Sequence, residues 1–84
     1  MWEIFLKESA LKEMNALPAG IHKRIRKSLQ GLREGPFTVK YKRLKGHSNI
    51  LRIREGDYRI IYSYDEKKRQ VYILKVGKRE NVYG

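Results

Sequence analysis

The stretch LRIREGDYRIIY, Leu51 to Tyr62, constrains the fold of this chain more than any other segment. Two short runs of apolar and basic residues flank Gly56-Asp57, a pair typical of a two-residue hairpin turn. Because side chains alternate between the faces of a strand, this turn predicts that Arg54 lies directly opposite Arg59. One face of the predicted hairpin carries Leu51, Ile53, Ile60 and Tyr62, and the other carries Arg52, Arg54, Arg59 and Ile61.

The arginine-bearing side of this hairpin predicts an anion-binding surface. Arginines directly across a strand pair repel and cost stability, so their placement calls for a functional reason. A guanidinium is a flat fork of donors that matches a phosphate and stays charged at any relevant pH. Three of them on one face would stabilise the extra charge of a pentacoordinate phosphorane.

The remaining pattern predicts an α+β fold with the element order β-α-α-β-β-β. We expect an antiparallel sheet of about four strands, with an N-terminal helical hairpin packed on one face and the arginines on an uncovered face. The first strand is expected to run antiparallel to the first strand of the central hairpin. The first predicted element is a strand over Trp2–Lys7. Two helices follow: one begins at Ala10, is capped by Ser9 and has Leu11, Met14 and Leu17 as its apolar stripe, and the other carries Ile21, Ile25, Leu29 and Leu32 and ends at Gly35-Pro36. After them we expect a short strand near Tyr41, the central hairpin, and a last strand over Gln70–Val76 that follows the turn at Asp65–Lys68.

Length and charge narrow the classes of function. The 84 residues are expected to form one domain over 1–84. Twenty Lys and Arg stand against nine Asp and Glu, so the formal charge of +11 indicates a polyanion, an acidic protein partner, or both. The chain has no cysteine and no long apolar run, and we expect a cytoplasmic protein without membrane spans.

Several kinds of catalytic site are not supported by the sequence. His22 and His47 lie without metal-ligand spacing or a carboxylate cluster, so we expect no metal and no cofactor. No nucleophile stands in a recognisable setting, and no glycine-rich phosphate loop is present.

The C-terminal stretch VGKRENVYG supplies groups that complement the arginines. If the chain turns helically there, Arg79 and Tyr83 project the same way. Nearby guanidiniums favour the anionic form of a phenol, so we expect the pKa of Tyr83 to fall below its usual value of about 10. Tyr83 then serves as a general base or as a stacking surface, the alternative being a frayed chain end. A metal-free reaction that uses such groups is cleavage of RNA by its own 2′-hydroxyl.

The segments RLKGHSNILRIREGDYRIIY and VGKRENVY resemble RelE of the RelE/ParE superfamily, the toxins of type II toxin–antitoxin pairs. The resemblance spans nearly the whole chain. The pattern Tyr-Arg, two apolar residues and Tyr occurs throughout the superfamily, including members that poison DNA gyrase. The ending Val-Gly-Lys-Arg followed by Tyr is more specific to RelE-type ribonucleases.

The resemblance implies a ribosome-dependent mRNA endoribonuclease that works without metal. By matching position it implies catalytic roles for Arg59, Arg79, Tyr83, and for Arg52 and Arg54 where the family has lysines. An arginine does not deprotonate in proteins, so Arg52 and Arg54 would act only electrostatically and Tyr83 would carry more of the base role. We expect further basic residues to contact RNA or the ribosome: Lys42, Arg43, Lys45, Lys78, Arg24 and Lys27.

The resemblance also implies an inhibitory partner, an antitoxin protein that is often acidic and partly disordered. Two alternatives to the ribonuclease remain open. One is a ParE-like inhibitor of DNA gyrase, and the other is a non-catalytic basic module that binds only antitoxin or RNA. The Arg79 and Tyr83 ending favours the ribonuclease.

Overall fold

A computed structural model of the chain describes residues 1–44, 46 and 49–78. The elements, in chain order, are β1 (Glu3–Leu6), α1 (Glu8–Asn15), α2 (Ala19–Leu32), β2 (Lys42–Arg43), β3 (Ile50–Glu55), β4 (Tyr58–Asp65) and β5 (Gln70–Lys78).

The central hairpin has the predicted turn and register. β3 and β4 pair antiparallel, with Arg54 opposite Arg59 and Ile53 opposite Ile60. Gly56 has a φ of +62°, which a glycine adopts at no steric cost at the first position of such a turn. The register predicted from the local sequence is therefore confirmed.

The sheet is mixed, and the prediction of a purely antiparallel sheet of about four strands was wrong in this respect. Its five strands run in the order β1-β5-β4-β3-β2, and β1 pairs parallel to β5. The first strand therefore runs in the same direction as β3 rather than opposite to it. After β5 pairs with β4, its other edge is open, and β1 fills that edge. The α+β class and the order of the elements are as predicted.

The first helix begins earlier than predicted. α1 starts at Glu8 with Lys7 as its N-cap residue, and no side chain caps it, so Ser9 lies within the first turn. Of the predicted apolar stripe, Met14 is buried, whereas Leu11 is 45% exposed. Ala10 takes the buried position because it lies one turn before Met14 on the same side of the helix.

The two helices cover one face of the sheet and form the core with it. Leu51, Ile53, Ile60 and Tyr62 are all at most 1% exposed and belong to one apolar cluster with residues of both helices, as predicted. The other members of this cluster are Ala10, Met14, Ile25, Leu29, Leu32, Val71, Ile73 and Val76. Within the described part of the chain, neither helix is long and apolar enough to cross a membrane.

Candidate functional site

The arginines of the central hairpin share the sheet face opposite to the helices. We call this surface the arginine face: Arg52 and Arg54 of β3, Arg59 of β4, and Lys42 of β2. Lys42 lies opposite Arg52, and Arg54 lies opposite Arg59. Directly opposed side chains have Cβ atoms about 4.5–5.5 Å apart, so three neighbouring strands hold four cations close together.

Arg59 is buried, and the prediction of an uncovered arginine face was wrong at this position. Its side chain is 4% exposed, and Ile61 two residues later is 7% exposed. β4 lies between β3 and β5, so its residues have neighbours on both sides. Arg54 is exposed and Arg52 is half-buried, because β3 lies nearer the edge of the sheet.

The buried guanidinium of Arg59 lacks hydrogen-bond partners for two of its nitrogens. Among the described residues neither Nε nor Nη1 has an acceptor, although both are shielded from solvent. A buried charge without a partner is strongly unfavourable, and an anion that accepts these two donors would remove the cost. These two donors make Arg59 a candidate for binding an oxyanion or a phosphate oxygen.

A groove of about 340 Å³ lies on the same face, and Arg54, the residue directly opposite Arg59, is among its lining residues. It is lined by Lys40, Tyr41, Lys42, Arg52, Arg54 and Gly56. Sequence reasoning missed Lys40 and Gly56 as site residues. The signal for Lys40 was its place at the start of the basic run Lys40–Arg43, which becomes part of the site only because β2 pairs with β3.

Arg54 also holds the hairpin turn. Its Nε donates a hydrogen bond of 3.2 Å to the carbonyl oxygen of Gly56. The bond fixes the direction of an exposed side chain without neutralising it, so the guanidinium remains available to an anion at the rim of the groove.

Four of the predicted RNA-contacting residues lie outside the arginine face. Arg43 pairs with Leu51, which faces the helices, and its guanidinium lies 5.9 Å from the ring centre of Phe37. Lys78 pairs with Tyr58, so the alternation of β5 places it on the helix side as well. Arg24 and Lys27 lie on the exposed side of α2.

Four other residues singled out from the sequence, Lys45, His47, Arg79 and Tyr83, lie outside the described residues. Residues 1–44, 46 and 49–78 contain no group of three His, Cys, Asp or Glu residues that could hold a metal ion.

Tyr62 belongs to the core, and Tyr41, Tyr58 and Tyr64 pack against it. Tyr62 is fully buried, and its hydroxyl donates a 2.7 Å hydrogen bond to the carbonyl oxygen of Pro36. Burial, with lesser contributions from Tyr41 and Tyr64, raises the pKa of Tyr62 well above its ordinary value. Tyr62 is therefore a packing residue of the core, with its hydroxyl bonded to the Pro36 carbonyl.

A family model and the curated relatives of this chain both point to toxins of type II toxin–antitoxin systems. A model of the ParE toxin of the type II toxin–antitoxin system parDE matches residues 4–83. The chain is 31% identical over 75 residues to the mRNA interferase toxin RelE of Escherichia coli K12, covering 87% of this chain and 78% of that protein.

Solved structures agree with the sequence comparison. The isolated E. coli RelE toxin is similar with a TM-score of 0.82 and 28% identity, covering 99% of this chain and 92% of the other. The intact E. coli RelBE toxin–antitoxin complex contains a chain with a TM-score of 0.79 and 27% identity, covering 93% of this chain and 96% of that one. The archaeal RelE–RelB complex from Pyrococcus horikoshii is similar at a TM-score of 0.78 and 26% identity, over 93% of this chain and 94% of the other.

Proposed function

The chain belongs to the RelE/ParE superfamily of type II toxins, and on that premise we propose that it is an endoribonuclease that cleaves mRNA on the ribosome. The observation that carries this proposal is the buried guanidinium of Arg59, which lies opposite Arg54 and whose Nε and Nη1 have no hydrogen-bond partner among residues 1–44, 46 and 49–78. Such a site suits a phosphodiester whose charge increases in the transition state.

The proposed reaction is attack of the RNA 2′-hydroxyl on the adjacent phosphorus, which breaks the bond to the 5′-oxygen. Arg59 would bind a non-bridging phosphate oxygen deep in the site, and Arg52 and Arg54 would add charge from its rim. An arginine cannot serve as the general base, so the proton of the 2′-hydroxyl is assigned to Tyr83. Arg79 is assigned to a hydrogen bond with the phosphate or with the leaving 5′-oxygen, and that oxygen takes its proton from water, because an arginine does not give up its own. These last two roles rest on the family resemblance alone.

No metal is assigned to this reaction. The proposal is supported by the kind of side chain at the site: guanidinium and ammonium groups provide the positive charge, and no carboxylate is among the described residues that line the groove. Cations of this kind stabilise a phosphorane in the place where other nucleases use metal ions.

We also propose that an acidic antitoxin protein holds the toxin inactive. Similar toxins have been crystallised with their antitoxins. A body with a formal charge of +11 is suited to a negatively charged partner that also shields the arginine face. Action on ribosomes would place the protein in the cytoplasm.

Product analysis tests the chemistry. We expect mRNA on programmed ribosomes to be cut by the protein in excess EDTA, with ribosome integrity maintained by polyamines, and the upstream product to end in a 2′,3′-cyclic phosphate. A 3′-hydroxyl paired with a 5′-phosphate would exclude attack by the 2′-hydroxyl.

The matching family model is that of ParE, which makes inhibition of DNA gyrase the second candidate. Supercoiling by purified gyrase separates the two. Inhibition of supercoiling without cleavage of ribosome-bound mRNA would favour the second candidate, and cleavage without inhibition would favour the first.

A further inference from the structure

Strand β5 contains a β-bulge at Leu74. Tyr62 of β4 lies opposite Ile73. The preceding residue of β4, Ile61, lies opposite Lys75, so the pairing skips Leu74. A bulge adds one residue to one strand of an antiparallel pair and re-aims the side chains that follow it, and bulges are over-represented next to active sites. We therefore asked what this bulge does for the candidate site.

The burial pattern of β5 shows the effect of the bulge. Ile73 and Val76 are 0% and 2% exposed, and both belong to the core although they are three residues apart. In a regular strand alternate residues share a face, so Ile73 would share its face with Lys75. The bulge therefore lets both apolar residues enter the core and leaves Lys75 exposed.

The bulge also decides which residue lies opposite Arg59. In the structure Gly77 takes this position. If the register of the first half of β5 continued, Val76 would lie opposite Arg59 instead, because the two halves of the strand differ by one residue. A glycine sets no side chain against the arginine, whereas a valine would occupy space beside it. The register of the last residues of β5 is thus a condition for the geometry of the candidate site.

Glu13 of α1 holds β5 at the two residues that follow the bulge. Its Oε1 accepts a 3.1 Å hydrogen bond from the Val76 N–H. Its Oε2 lies 3.6 Å from the Nζ of Lys75. A backbone N–H that is shielded from water needs an acceptor, and here a side-chain carboxylate provides it.

The path of the chain explains why α1 reaches this place. β1 pairs with Gln70–Ile73 of β5, and where β1 ends the Lys7 N–H donates a 3.0 Å hydrogen bond to the Ile73 carbonyl oxygen. α1 begins at the next residue, Glu8. The edge of β5 beyond Ile73 therefore faces a helix, and the bulge is held there by a side chain in place of a neighbouring strand.

We propose that Glu13 is a positioning residue of the candidate site: it holds the bulge of β5 and thereby fixes the register that places Gly77 opposite Arg59. Glu13 acts through the backbone of β5 and not on the reacting atoms. Its consequence for cleavage rests on the proposed function, whereas the register itself can be measured without RNA.

Four variants separate this role from a general effect on folding. Glu13→Ala removes the acceptor, and Glu13→Gln keeps an oxygen at the same reach. Glu8→Ala is the matched control, because it removes an exposed carboxylate of the same helix that pairs with Lys12. Tyr62→Phe controls for lost stability, because it removes the hydrogen bond of a core hydroxyl.

Nuclear magnetic resonance measures the register directly. The wild-type protein should show nuclear Overhauser contacts between backbone protons of Arg59 and Gly77, and a slowly exchanging Val76 amide. Glu13→Ala should weaken these contacts and speed the exchange of that amide, because its acceptor is removed. The Nε–H signal of Arg59 should then respond more weakly to added inorganic phosphate. Glu13→Gln, Glu8→Ala and Tyr62→Phe should resemble the wild type in all three measurements.

On programmed ribosomes the loss should appear in the rate and not in binding. We expect Glu13→Ala to lower the single-turnover rate at saturation by roughly tenfold or more, since a small misplacement of a group in the site can cost about 10²-fold. The ribosome concentration at half-maximal cleavage should be unchanged. Glu13→Gln should restore most of the rate, and the two control variants should cleave at the wild-type rate.

Three outcomes would overturn the proposal. The first is an Arg59–Gly77 contact that is unchanged in Glu13→Ala. The second is loss of this contact with unchanged phosphate binding and cleavage. The third is an equal loss of rate in Tyr62→Phe, which would reduce the effect to stability.

Two further results are distinguished by the same measurements. If Glu13→Ala does not fold, Glu13→Asp, which withdraws the carboxylate by one methylene, is compared with the same controls and should weaken the Arg59–Gly77 contact. If the wild-type protein neither binds phosphate at Arg59 nor cleaves mRNA, the proposed function fails, and the Arg59–Gly77 contact still decides whether Glu13 fixes the register.

Discussion

Replacing Arg59 by leucine should make the protein more stable and abolish its activity. Arg59 is 4% exposed, and its Nε and Nη1 have no acceptor in the part of the chain that the structure describes. Leaving a buried donor unpaired costs about 1–3 kcal/mol, and more for a charged group. The directly opposed Arg54 adds up to about 1 kcal/mol of repulsion.

Leucine removes both costs and keeps an apolar side chain in the buried space. Some packing of the longer arginine chain is lost, so we expect a net gain in the free energy of unfolding of about 1–3 kcal/mol. In a domain of this size each kcal/mol raises Tm by about 4–8 °C. Thermal unfolding followed by circular dichroism at low salt measures the change.

Arg54→Leu is the matched control for this experiment. It removes the same repulsion but leaves the buried Arg59 nitrogens unpaired and loses the hydrogen bond from Arg54 Nε to the Gly56 carbonyl, so we expect its gain in Tm to be clearly smaller than that of Arg59→Leu. Inorganic phosphate or a short RNA should raise the Tm of the wild-type protein, and should raise that of the Arg59→Leu variant much less. The difference should shrink at high salt.

Two results would refute the reasoning. If Arg59→Leu lowers Tm by several degrees, the guanidinium makes a stabilising interaction in the free protein. If the variant still cleaves ribosome-bound mRNA at a near-normal rate, the arginine face is not the active site.

Three further substitutions test other parts of the molecule. Tyr83→Phe keeps the ring but removes the phenol, and the single-turnover cleavage rate should fall by roughly 10²-fold with ribosome binding retained; a loss below about threefold would leave Tyr83 no role in proton transfer. Glu13 Oε1 accepts a 3.1 Å hydrogen bond from the Val76 N–H of β5, so Glu13→Ala should lower the free energy of unfolding in urea by about 1 kcal/mol. Glu13→Gln keeps an acceptor and should lower it clearly less. Equal losses of stability in the two variants would mean that the charge of Glu13 matters and not the hydrogen bond. Tyr62→Phe leaves the Pro36 carbonyl without its donor and should cost about 1–3 kcal/mol. Burial raises the pKa of Tyr62, so as pH rises above about 10 the unfolded chain loses the phenol proton before the folded protein does, and the stability of the fold decreases. Tyr62→Phe should lack this part of the pH dependence. If the pH dependence of stability is the same in the variant, other groups cause the decrease.

The central hairpin was predictable because its information is local. A Gly-Asp turn sets the loop length, and the loop length sets which residues lie opposite one another. The alternation of Leu51, Ile53, Ile60 and Tyr62 with the arginines then determined which face packs on the helices, and all four are buried there. The α2 helix, the α+β class and the family could be predicted for the same reason, because hydrophobic periodicity and short motifs are properties of the local sequence.

The partner of β1 was not predictable from local pattern. β1 pairs with β5, about 67 residues further along the chain, and it does so in parallel. Nothing in the segment Glu3–Leu6 specifies which edge it will join. The choice depends on the edge of β5 that remains open once the hairpins have formed.

At the candidate site, the position of Arg59 could be predicted from the local sequence, but its burial could not. The sequence by itself determined that Arg59 lies opposite Arg54, because two residues of a turn decide that register. Only the tertiary structure decided that β4 lies between β3 and β5, and this placement shields Arg59 and leaves Arg54 exposed. Whether a charged side chain is solvated depends on neighbours that are distant in sequence, so the difference between an exposed cation and a buried one is a property of the assembled sheet.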